Sequence, residues 1–290
     1  MDFGKPILVT GASGKTGQRM VAWIAKKGGT VRAFVRRPEA GICLKLAGAA
    51  EIALGDLMDH DSLRRAMAGT GQVLHICPPM HPKEDAIART MIGLAGELAL
   101  DRFVLYSVLH PLLADVPHHD RKLQAERALV DSGLNYTILQ PCRYMQHLAA
   151  IWKTVLATGV HSMPFGTTAR FSLVDLSDLA EAAARIVTEP GHEAATYQLA
   201  GPDTLSQDDC AEILSTVLGR PICAVAKPIE DFCRDAAAAG VPAERIEVMT
   251  KMNAHYDAHG LVGNSNVLHW LLGRNPTRFA EFVRRELPHK

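Results

Sequence analysis

A strand, three glycines and a helix follow one another near the N-terminus, and this order constrains the chain more than any other feature. Ile7, Leu8 and Val9 form an apolar run suited to a strand buried on both faces. Gly11, Gly14 and Gly17 follow, and helical apolar periodicity opens behind them at Met20, Val21, Trp23 and Ile24. A strand that turns through glycines into a helix presents unpaired N–H groups and the positive end of the helix dipole to an anion. The missing side chains let a pyrophosphate come close. The spacing is G-x-x-G-x-x-G and not the commoner G-x-G-x-x-G, so its meaning rests on the strand–loop–helix order. We read Thr10, Gly11, Ala12, Ser13, Gly14, Lys15, Thr16 and Gly17 as the phosphate turn of a dinucleotide site. The competing reading is a glycine-rich turn in some other βα unit.

The chain then alternates. Thr30–Val35 reads as a second strand, ending at Arg36-Arg37-Pro38. An acidic residue here, roughly 20 residues past the glycines, would hold the ribose 2′-hydroxyl of NAD. Arg36 and Arg37 instead suit a 2′-phosphate, because the guanidinium fork can bond two oxygens of a dianion. Lys15 would add a second positive charge, and NADP(H) is favoured over NAD(H); a solvated basic turn is the alternative. Glu51–Leu54 is a third strand, followed by Gly55, Asp56 and Leu57, where Asp56 either accepts from the adenine amino group or caps the next turn. Gln72–Cys77 is a fourth strand stopped by Pro78-Pro79, and Cys77, Pro78 and Pro79 should line the ribose and nicotinamide side. A helix over 82–100, a strand at Arg102–Ser107, a helix over 120–132 and a strand at Asn135–Leu139 complete the alternation. The expected fold is α/β: a Rossmann-type doubly wound parallel sheet with a smaller α+β C-terminal lobe.

Beyond Pro141 the pattern loosens. Helices are expected over 145–157, 177–187, 210–218, 229–239, 245–258 and 277–287, with extended pieces at Arg170–Leu173, Thr196–Leu199 and Ile222–Ala226. Ser206 to Asp209 reads as a helix N-cap with an acidic first turn. The expected division is a nucleotide domain over 1–150, with returning segments from 170–200, and a substrate lobe over 151–290.

With 290 residues the chain can bury a large core, and its 31 basic residues equal its 31 acidic ones. No net field recruits nucleic acid or an anionic membrane. Six scattered cysteines without a C-x-x-C pair imply reduced thiols, not a disulfide frame or a zinc site. No signal peptide fits before the first strand, and no apolar run approaches the roughly 18 residues of a membrane helix, so a soluble cytoplasmic protein is expected. His255 and His259 are the one histidine pair at helical ligand spacing; polar helix residues are the commoner case, and no metal is assigned.

Taken together, Val9–Gly17, Val35–Pro38, Gly55-Asp56, Tyr106-Ser107, Ser132–Pro141, Leu199–Pro202 and Leu218–Arg220 resemble the NmrA-like branch of the atypical short-chain dehydrogenase/reductase superfamily. The resemblance covers most of the chain. It implies NADPH over the strand ends, a C-terminal lobe closing a substrate cleft, and relatives that reduce quinones, triphenylmethane dyes or isoflavone-type substrates, or that sense NADPH without turnover. The superfamily's usual pair is Tyr-x-x-x-Lys, yet none of the five tyrosines has a lysine four residues on. By the resemblance Lys122 stands for the helical lysine, Ser107 for the strand-end serine, and His118 occupies the tyrosine's place. Lys122 would bond the nicotinamide ribose or raise positive potential for a hydride acceptor. His118, with an ordinary pKa of about 6.5, would supply a proton. Ser107 would touch substrate or cap a turn. Pro141 and Tyr144 are placed at the cofactor, with Tyr144 and Met145 also expected in the cleft, where His147 replaces a frequent asparagine.

The leading reading is an NADPH-dependent reductase passing hydride to a small conjugated carbonyl or quinone-like molecule. Such acceptors need little acid catalysis, because conjugation already stabilises the developing oxyanion, so the missing tyrosine is tolerable. The alternative is a non-catalytic NADP(H) sensor acting through a protein partner. Expected partners are a small-molecule substrate and, as an option, a second copy in a homodimer; neither nucleic acid nor membrane is expected.

Overall fold

The computed structural model describes residues 4–287. In chain order the elements begin with β1 (Ile7–Val9), α1 (Lys15–Lys26), β2 (Val31–Val35), α2 (Ala40–Leu46), β3 (Glu51–Leu54), α3 (His60–Met67), β4 (Gln72–His75), α4 (Glu84–Glu97), β5 (Arg102–Tyr106), α5 (Pro117–Asp131) and β6 (Tyr136–Pro141). There follow β7 (Arg143–Tyr144), a 3₁₀ helix (Met145–Ala150), α6 (Trp152–Thr158), β8 (Val160–Met163), β9 (Phe171–Val174), α7 (Leu176–Thr188) and β10 (Ala195–Leu199). The chain closes with β11 (Asp203–Leu205), α8 (Gln207–Leu218), β12 (Cys223–Ala226), α9 (Ile229–Ala238), α10 (Ala243–His259), α11 (Asn266–Leu272) and α12 (Phe279–Glu286).

These elements form two compact units. The first comprises the chain up to Leu113, His119–Pro141 and Leu179–Tyr197; the second comprises Ala114–His118, Cys142–Asp178 and the chain from Gln198 on.

In the first unit the sheet order is β10-β6-β5-β4-β1-β2-β3, with β1 to β6 paired in parallel. This is the Rossmann arrangement, and its strand order reverses between β1 and β4. Both faces of the central strands are buried, which is why they are near-continuous apolar runs rather than alternating ones. Leu8, Phe34, Val73 and Phe103 pack with Met67 of α3 and Met91 of α4 in one core. Buried Arg102 and Gln72 bond each other at 2.9 Å and reach the carbonyls of Ile186 and Val187 near the end of α7, while Arg102 Nη1 is left without a partner.

β4 stops at His75, two residues short of the expected end. The backbone N–H and carbonyl of Ile76 bond the Thr10 hydroxyl (2.9 and 3.1 Å) instead of a neighbouring strand. The second unit has a three-stranded sheet, β11-β9-β7, and a parallel β8–β12 pair. The expected helix over 145–157 is broken there. Met145 and Leu148 bury at 3₁₀ spacing, while Gln146 turns to bond Asp175 Oδ1 (2.7 Å) and Leu176 N (3.0 Å). α8 carries the expected capping box, with Ser206 and Asp209 bonding each other's backbone N–H. Among the described residues no helix is long and apolar enough to cross a membrane.

Candidate functional site

The three glycines of the β1–α1 turn do different work. Gly11 has φ +60°, and a Cβ there would stand 2.6 Å from the Ile76 carbonyl oxygen. At Gly17 a Cβ would stand 2.2 Å from the Gly11 oxygen, so α1 packs on the turn only because no side chain intervenes. Gly14 is exposed, has an ordinary φ of −75°, and would bring a Cβ no closer than 3.3 Å to any neighbour. The fold needs the first and third glycines most; at the second a Cβ would sit tight against the Gly11 oxygen, with no other neighbour within 4 Å. No side chain caps α1 and its first turn holds no acidic residue, so the N–H groups there face an uncompensated helix end. Ser13 and Lys15 are exposed beside it, Thr16 is half-buried, and buried Ala12 anchors the turn.

β1 pairs with β2 so that Val9 lies opposite Ala33, and Arg36 and Arg37 therefore emerge at the same sheet edge as the glycine turn. Both are exposed, and among the described residues neither side chain makes a hydrogen bond or ion pair. Arg32, by contrast, bonds Glu51 and the carbonyls of Ala66 and Ala68. Asp56 caps its own turn, its Oδ1 accepting from Met58 N at 2.8 Å, and remains exposed; Leu57 beside it is half-buried. Thr10 is fully buried, with its hydroxyl engaged by Ile76 and 2.9 Å from His75 Nδ1. Beyond β4, Cys77 is buried and its thiol is pushed up to about 12 by burial and by Glu84, while Pro78 and Pro79 are exposed.

Lys122 and Ser107 meet at the end of β5. Lys122 is 5% exposed; its Nζ donates to the Tyr106 carbonyl at 2.6 Å and ion-pairs with Glu84 at 2.5 Å. Ser107 Oγ donates to Glu126, which also accepts from Gln140 Nε2 at 3.0 Å. Burial raises the Glu126 carboxyl above the usual carboxylate range, against the pull of Ser107, Gln140 and Lys122. His75 is driven down to about 3 by burial and by the charge of Lys122, and so is neutral. Pro141 ends β6 with its carbonyl accepting from Leu109 N at 2.8 Å.

His118 lies one helical turn before Lys122 on α5, half-buried, in the short segment that groups with the second unit. It is the neighbouring His119 that is fully buried, with Nδ1 2.8 Å from the His110 carbonyl oxygen. Tyr144 and Met145 line a cavity within the second unit, and the Tyr144 and His147 rings stand 5.3 Å apart. His255 and His259 stack at 4.7 Å on α10, and among the described residues no three His, Cys, Asp or Glu side chains gather at a metal-binding spacing.

Sequence reading missed Glu84 and Glu126. The signal for Glu126 was present: Lys122, Ala125, Glu126 and Leu129 fall at helical spacing and form the buried stripe of α5, so two charged residues there needed partners. Glu84 gave no such signal, since an acidic residue in a first helical turn ordinarily faces solvent.

Comparison with known proteins adds the following. The model of the NmrA-like family matches residues 4–283. The chain is 27% identical over 279 residues to the NAD(P)H azoreductase of Xenophilus azovorans, spanning 96% of each. The NADPH-dependent quinone oxidoreductase of Escherichia coli, solved with NADPH, superposes with a TM-score of 0.86 at 25% identity, covering 97% of this chain and 100% of that one. The Citrobacter sp. triphenylmethane reductase complexed with NADP(H) gives the same TM-score, identity and coverage.

Proposed function

Since this chain belongs to the NmrA-like family, we propose that it is an NADPH-dependent reductase that passes hydride to a small conjugated carbonyl or quinone-like acceptor. The observation that carries this reading is the uncapped α1 terminus behind Gly14, with the side chains of Arg36 and Arg37 unengaged at the same sheet edge. A pyrophosphate fits the first, and a ribose 2′-phosphate fits the second. Relatives named as azoreductase and quinone oxidoreductase, and neighbours solved with NADPH or NADP(H), support the same chemistry.

When bound, NADPH supplies a hydride and leaves as NADP+, while the acceptor takes the hydride and one proton. In our reading the first-turn N–H groups of α1 hold the phosphates, Lys15, Arg36 and Arg37 neutralise them, and Asp56 and Leu57 border the adenosine. Cys77 to Pro79, Ser107 and Pro141 border the other end. Lys122 is a positioning residue: tied to Tyr106 and Glu84, it fixes the end of β5 and keeps a buried positive charge where negative charge develops. His118 is the candidate proton donor, with solvent as the other source. A cytoplasmic location and a homodimer remain expectations of this reading. A sensing role without turnover has no observation of its own to favour it.

The test is acceptor-dependent oxidation of NADPH by the purified protein, offered benzoquinones, naphthoquinones and enones in turn. Steady turnover with at least one acceptor is the expected result. Tight NADPH binding without consumption of any of them would contradict the reductase reading.

A further inference from the structure

The second unit holds a half-open cavity of about 40 Å³ between β7, β8, β9 and the start of α8. Its walls include Met163, Phe165 and Phe171, and into this apolar setting projects the guanidinium of Arg143. Arg143 lies over the rings of Phe165 and Phe171, at 5.0 and 5.4 Å from their centroids, and reaches the weak acceptor Met163 Sδ at 3.9 Å. Among the described residues no carboxylate comes within ion-pair distance of it, and the groups that act on its charge are Tyr256 and Cys210. Burial lowers its pKa, although the residue as a whole is only half-buried.

Two further polar groups in the lining are unsatisfied. His161 is 6% exposed with no partner at Nδ1, and Gln207 is 2% exposed with none at Oε1, although its Nε2 donates to the Phe165 carbonyl at 2.6 Å. His161 is pushed down to about 4 by burial and by Arg143, so near neutral pH its ring is uncharged and offers one N–H. A half-buried five-donor fork and a buried ring N–H, side by side in an apolar setting, describe the complement of an anion; the Gln207 acceptor takes no part in it. The space of about 40 Å³ suits a carboxylate, and its open side leaves room for the group that carries it.

We propose that this cavity is an anion site of the second unit, which takes the carboxylate of a flat aromatic molecule. The inference stands apart from the reductase reading. The carboxylate forks onto Arg143, with His161 as a second donor. Tyr144 and His147, which are the lining aromatic groups open to solvent, are left to flank the ring.

The test measures calorimetric binding of 2-naphthoate and of its neutral counterpart, naphthalene-2-carboxamide. The wild type should bind naphthoate about tenfold or more tightly than the amide. Arg143→Met should erase that ratio and the naphthoate signal, and Arg143→Lys, which keeps the charge and loses the fork, should restore part of both. Thermal melts show that each variant is folded; should Arg143→Met not fold, Arg143→Lys alone carries the test, with a reduced ratio expected. A wild type indifferent to the carboxylate, or naphthoate binding unchanged in Arg143→Met, would overturn the pocket.

Discussion

At the scale of single residues, Gly14 and Gly17 separate binding from folding. Gly17→Ala forces a Cβ to 2.2 Å from the Gly11 oxygen, a backbone atom that cannot step aside. We expect a loss of about 3 kcal/mol of stability, at the upper end for overpacking, read from urea unfolding. Gly14→Ala meets one tight contact, 3.3 Å from the Gly11 oxygen, at an ordinary φ, so it should cost the free protein much less stability than Gly17→Ala. Its NADPH affinity should nevertheless drop about tenfold or more, because the methyl stands where the phosphates must approach. Arg36 and Arg37 give the second residue-level prediction. Replacing both by alanine should weaken NADPH binding by about ten- to a hundredfold while NADH binding changes by about twofold or less, since only the former carries the 2′-phosphate. Equal losses for both nucleotides would remove the 2′-phosphate from these arginines.

Among the elements, α4 and α5 are joined by a buried ion pair. Glu84 is 1% and Lys122 5% exposed, so removing one partner strands the other's charge in the interior. Glu84→Leu should therefore destabilise the first unit by about 3–5 kcal/mol, and adding Lys122→Met should recover a large part of that loss in urea melts. Simple additivity of the two changes would show that the pair is not coupled. Lys122 was legible in the sequence as a family position, but its tie to Glu84 was not, because 38 positions separate them and nothing local pairs them. The strands of the first sheet were legible for a physical reason: a two-sided buried strand must be an apolar run, and β3 over Glu51–Leu54 sits where the run ends. By contrast α2, β7, β8, β11 and α11 escaped the reading. They are short, and their apolar residues are too few to establish a period; α2 exposes Ile42 and Leu46 on the face opposite Leu44. Of the candidate site, the glycine turn and Arg36-Arg37 could be read directly, being local motifs. The network of Ser107, Glu126 and Gln140 and the solitary charge of Arg143 depend on tertiary placement.

For the molecule as a whole, the balanced charge gives no long-range field, so its acid response is governed by individual buried groups. His75 in the first unit and His161 in the second are held near 3 and near 4, both below the ordinary 6.5. Unfolding frees each to take up a proton, so the unfolded chain binds more protons below about pH 6.5. The stability from keeping them neutral is fully present above that pH and declines as pH falls towards their folded values. Each contributes a slope of about 1.4 kcal/mol per pH unit within its window. Denaturant melts at about pH 6 and pH 5 should show this fall, and His161→Gln should remove about one proton from the slope. An unchanged slope would mean that His161 titrates normally in the fold. The central claim, a dinucleotide site tuned to a 2′-phosphate and coupled to reduction, is tested most directly by titrating the protein into NADPH and into NADH and following nicotinamide fluorescence, then adding a naphthoquinone. The account predicts tighter binding of NADPH than of NADH, and loss of the bound signal only when the quinone arrives. Equal affinity for the two nucleotides, or a bound signal that the whole acceptor series leaves unchanged, would contradict it.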